Sequence, residues 1–132
     1  MAESGHDDRQ GTSTTMHRWL RATINTWHGL REAVRSEAAF RQELVALGLS
    51  VPIAFLVATE AWKRFLLIGV VVLVMVVELL NTSIEKLADR VNREIDPQIG
   101  RVKDIGSAAV GLALIVAGLA WLIALAERVG II

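Results

Sequence analysis

Glu78 closes an apolar run, Val70-Val71-Val72-Leu73-Val74-Met75-Val76-Val77. An ionisable group in lipid costs on the order of a few kcal/mol unless it is paired, hydrated or neutralised. Carboxyl groups in apolar surroundings bind protons more tightly, which suits a general base working near neutral pH. The same glutamate could instead end a helix and reach the headgroups. Asn81, Glu85 and Asp89 follow at steps of three, four and four, so all four polar groups share one helical stripe. Glu78 and Glu85 stand two turns apart, about 10 Å along the axis. Carboxylate oxygens suit hard cations such as Mg²⁺, making Glu85 or Asp89 a candidate ligand. A solvated face of Glu85, Lys86, Asp89 and Arg90 is the competing reading.

Two further clusters carry charge. Glu37 and Glu43 flank Ala38-Ala39-Phe40-Arg41-Gln42, and their six-residue spacing points them to different neighbours. Gly100-Arg101-Val102-Lys103-Asp104 stands at the entrance to a third apolar run. Its cations suit phosphate or a membrane anchor. The sequence has no phosphate-binding Gly-x-x-x-x-Gly-Lys-Ser/Thr loop and no His-Arg-Asp or Asp-Phe-Gly element. P-loop and protein-kinase chemistry are therefore excluded. His6, His17 and His28 lie eleven apart, without the clustering of a zinc site, and there is no cysteine.

The elements that must position these residues are apolar. Of 132 residues, 53% are hydrophobic, in continuous runs at 44–59, 65–80 and 105–126. The first two cover about 24 Å as helices, short of a hydrocarbon core of roughly 30 Å, so flanking residues must extend them. Continuous runs argue for helices over alternating strands. Pro52 is expected to kink the first helix, and the small residues of the third, including Gly106, Ala109 and Gly118, suit close packing. Met16, Trp19, Leu20, Ile24, Trp27, Leu30 and Val34 recur at helical spacing among arginines. That pattern predicts an amphipathic helix at a membrane surface, or a soluble helix packed on a partner. Residues 1–15 read as a disordered leader without the features of a signal peptide.

Three spans leave eleven basic residues on the side of the leader and the 81–104 connection, against Lys63, Arg64 and Arg128 on the other. The excess puts the N-terminus in the cytoplasm. Equal numbers of acidic and basic residues, 14 each, give no sign of a nucleic-acid partner.

Glu37-Ala-Ala-Phe-Arg-Gln-Glu43, Glu78-Leu-Leu-Asn-Thr-Ser-Ile-Glu85 with Asp89-Arg90, and Gly100-Arg-Val-Lys-Asp-Ile-Gly-Ser-Ala-Ala109 resemble the prokaryotic diacylglycerol kinase family. The resemblance runs from about Arg18 to the C-terminus; Asn25-Thr26 and Asp96-Pro97 depart from the family pattern. It implies an all-α integral membrane protein of the bacterial inner membrane, forming a homotrimer with shared active sites. Each protomer would have a surface helix at about 16–36 and transmembrane helices at about 38–59, 63–90 and 103–127, in one lipid kinase domain. The implied reaction is phosphorylation of diacylglycerol to phosphatidic acid by ATP with Mg²⁺. Carried onto matching residues, the resemblance makes Glu78 the general base, supported by Asn81, and Glu37 and Glu85 the metal ligands. Arg18, Glu94, Lys103 and Asp104 become nucleotide contacts. Glu43, Ser107 and Trp121, with Arg18 and Trp27 of the surface helix, become lipid contacts. The alternatives are undecaprenol kinase, a small proton-coupled transporter, and a non-catalytic assembly subunit.

Overall fold

The computed structural model describes residues 8–91 and 96–132, and side chains within them from residue 14 onward. The described residues form four helices: α1 (Asp8–Ser36), α2 (Ala38–Val57), α3 (Ala61–Val91) and α4 (Pro97–Arg128). The chain divides into two units, Met1–Glu37 and Ala38–Ile132.

The first unit is α1. It starts at Asp8, ahead of position 16 where the apolar periodicity begins, and takes in part of the segment expected to be disordered. Adding residues to an existing helix is far easier than nucleating one, so a helix can run past its apolar stripe. Trp19 and Trp27 are exposed. The Thr23 and Thr26 hydroxyls donate to the carbonyls of Trp19 and Ala22, at 3.0 and 2.9 Å. Backbone carbonyls thus satisfy both side chains within the helix.

The second unit is built around α3, which packs against both α2 and α4, while α2 and α4 scarcely meet. All three helices are long and apolar enough to cross a membrane. Their outward faces are apolar, with Leu56 73% and Phe65 80% exposed. In α4, only 6% of the most apolar window is buried in the protein. Water would not tolerate so much continuous apolar surface, and lipid explains it. α2 continues through Pro52.

Small side chains set the packing at one end of this unit. Ala54, Ala58 and Leu67 are buried, with Val57, Ile68, Ala120, Trp121 and Ala124 against them. Cations close the same end. Arg64 Nε donates to the Ala58 carbonyl at 2.9 Å and Arg128 Nε to that of Leu56 at 3.1 Å. The last carbonyls of a helix lack internal partners, so guanidinium groups there satisfy them and oppose the negative end of the helix dipole. Lys63 bridges Glu127 at 2.5 Å and Glu60 at 3.2 Å. The bond from the Trp62 indole N–H, and then that from Lys63, holds the Glu60 carboxyl below its ordinary range.

At the other end, α4 begins at Pro97, six residues before the start at about 103 that the resemblance implies and eight before the apolar run. Asp96 caps it, accepting from the Gln98 backbone N–H at 2.7 Å, with Pro97 in the first turn. An aspartate cap followed by proline suits a helix start on grounds that hydropathy does not register. Gly130, at φ 77°, turns the chain out of α4. The Ile131 N–H then bonds the Ala126 carbonyl at 2.9 Å.

Candidate active site

α3 spans about 46 Å at its 31 residues, far more than a hydrocarbon slab of roughly 30 Å. One helix can therefore carry a stripe from the apolar interior into the polar layer. Glu78 is half-buried on it, and its charge acts on Glu43 of α2. The two carboxyls thus lie within electrostatic reach of each other, although nothing in their sequence spacing pairs them. One Glu43 oxygen, Oε2, is buried without a hydrogen-bond partner.

Asn81 lies one turn further along, 8% exposed. Its Nδ2 donates to Glu85 Oε1 at 3.1 Å. Its Oδ1 is buried without a hydrogen-bond partner and lies against Gly106 of α4. Closer to the helix end, Lys103 of α4 forms an ion pair with Asp89 and also feels the charge of Glu85. With Gly106 abreast of Asn81, Lys103 starts nearly level with Ile84. Its side chain then runs toward the end of α3 to meet Asp89, as long cationic side chains do when they reach for the polar layer.

The structure therefore brings Glu43 within electrostatic reach of Glu78, and Asn81, Glu85, Asp89, Lys103 and Gly106 into one seam between α3 and α4. Asp104 and Ser107 are exposed on α4 beside that seam. Trp121 packs against the alanine–leucine cluster at the other end, roughly 22 Å along α4 from Gly106. Arg18 and Trp27 lie on α1. Glu37 ends the first unit and accepts from the Ser36 hydroxyl at 2.8 Å. Glu94 lies outside the described residues. The Asp89–Lys103 pair and Gly106 are additions to the site. Asp89 shares the stripe in sequence, but its cation and the facing glycine emerge only with the register of α3 against α4.

Carboxylate oxygens are the kind of donor that Mg²⁺ takes. Glu85 and Asp89 offer hard oxygens, and no group of three or more potential ligands forms among the described residues. Mg²⁺ commonly takes one or two carboxylates, completing its shell with water and phosphate oxygens.

Membrane-length helices with a seam of carboxylates, amide and cation at one end define a membrane protein equipped for charge-assisted chemistry. The prokaryotic diacylglycerol kinase family model matches residues 24–125. A diacylglycerol kinase of Escherichia coli K12 is 48% identical over 118 residues, covering 89% of this chain and 97% of that protein. One from Pseudomonas aeruginosa is 42% identical over 108 residues, covering 82% and 88%. A third, from Haemophilus influenzae, is 35% identical over 109 residues, covering 83% and 92%. This chain belongs to the prokaryotic diacylglycerol kinase family and is an enzyme of the kinase class.

Proposed function

We propose that this enzyme transfers the γ-phosphate of ATP to the free hydroxyl of diacylglycerol, giving phosphatidic acid at the cytoplasmic face of the inner membrane. The observation that carries the reading is the α3 stripe. Glu78 sits at the apolar edge, and Asn81-held Glu85 and Asp89-paired Lys103 lie beyond it. A lipid hydroxyl and a water-soluble nucleotide would have to meet along such a line. The names of relatives matching nearly full length support the same substrate, and they favour neither undecaprenol nor a transporter.

In this reading Glu78 accepts the hydroxyl proton as the oxygen forms its bond to the γ-phosphorus. The bond to the β-bridging oxygen breaks and ADP departs. Glu43, within electrostatic reach of Glu78, faces the same lipid headgroup, as would Ser107. Glu37 and Glu85 would hold the metal. Mg²⁺ there would neutralise the phosphate oxygens, the main requirement of phosphoryl transfer. Lys103 exchanges Asp89 for phosphate when nucleotide binds, and Arg18, Glu94 and Asp104 complete the nucleotide contacts. Trp27 supports the lipid side, and Trp121 would touch the acyl chains deeper in the bilayer. The N-terminus is cytoplasmic by the eleven-to-three bias of basic residues. α1 lies along the membrane surface, and the active assembly is a homotrimer with shared sites.

Labelled ATP and Mg²⁺ in mixed micelles, with diacylglycerol and undecaprenol supplied side by side, test the reading. Label in phosphatidic acid supports it. Label only in the polyprenyl product overturns the substrate, and label in neither overturns the activity.

A further inference from the structure

Gly106 is the only described glycine at which an added Cβ would meet anything within 4 Å. There it would overlap Asn81 Oδ1 and stand 3.4 Å from Asn81 Cγ. Gly48, Gly69, Gly100, Gly111 and Gly118 face open space. A general preference for small residues in a packed membrane helix does not single out one glycine in this way.

The Asn81 amide explains the selectivity. A carboxylate can only accept, so the Asn81 Nδ2 must face Glu85 and the oxygen must face α4. That oxygen is buried and has no hydrogen-bond partner. Its position is therefore set by shape, and the shape is the missing side chain at Gly106. A methyl group at 106 would be accommodated by turning the short Asn81 side chain. The turn withdraws Nδ2 from Glu85 and can leave the helices in place.

We infer that Gly106 is a positioning residue for the Glu85 carboxylate, acting through Asn81. The inference rests on the proposed role of Glu85 as a metal ligand. Groups that orient a metal ligand without touching the metal typically change affinity by roughly 10- to 100-fold when altered.

The test is binding of Mn²⁺ with a non-hydrolysable ATP analogue to the full chain in lipid micelles, followed by electron paramagnetic resonance. Glu85→Gln should weaken specific binding more than any other single change in the set. Gly106→Ala and Asn81→Ala should each weaken it roughly 10-fold. The double variant should bind no more weakly than Asn81→Ala alone, because the two changes remove the same hydrogen bond. Gly111→Ala, which meets no neighbour, should bind as the parent does. Parent-like affinity in Gly106→Ala, or additive losses in the double variant, overturns the inference while leaving Glu85 as a ligand. Unchanged binding in Glu85→Gln overturns both roles together. Should Gly106→Ala alone fail to assemble, the double variant, free of the overlap, decides: equality with Asn81→Ala sustains the inference and further weakening refutes it.

Discussion

Replacing Glu78 by glutamine keeps the size of the side chain and removes its capacity to take a proton. If it is the base, turnover should fall by roughly 100-fold or more, the usual contribution of a positioned base. Nucleotide binding and assembly should persist, because glutamine fills the same space and Glu78 is not among the groups proposed to hold the nucleotide. Single-turnover transfer and equilibrium ATP-analogue binding on the same sample separate those effects; loss of both together would remove the base assignment. Glu78, Asn81 and Glu85 were legible in the sequence because their relation lies within one helix, where three- and four-residue steps fix the geometry. Gly106 was not, nor was the nearness of Glu43 to Glu78. Those relations depend on how far one helix slides along another, and helical periodicity carries no information about that displacement.

Elements show the same division. Hydropathy located α2, α3 and α4 because apolar runs of this length have few other destinations. It set the start of α4 too late, because Arg101, Lys103 and Asp104 are helical yet polar. Asp96-Pro97 held the missing signal: an acceptor for an otherwise unpartnered N–H, then a residue whose own N–H is not needed. Asp96→Ala should destabilise the first turn of α4 by about 1 kcal/mol. Hydrogen exchange at the amides of Gln98 and Ile99 would register it, with exchange near Trp121 unaltered. Equal loosening along all of α4 would contradict the cap as a local device.

For the whole molecule, the bilayer supplies the surroundings that the apolar outer faces require. Because the chain has no cysteine, single cysteines introduced at Gln98 and at Ala61 report topology without background. A membrane-impermeant thiol reagent added to intact cells should label the Ala61 position, and the Gln98 position only after lysis. Reversed labelling would overturn the proposed orientation. The apolar outward faces of α2, α3 and α4 suit a spanning unit held within the lipid phase. Under the proposed function the lipid substrate is dissolved in that same phase and would reach the enzyme by lateral diffusion, without being lifted into water. Its availability is measured as a mole fraction of the bilayer, so inert lipid added at constant bulk concentration should slow the enzyme by surface dilution alone.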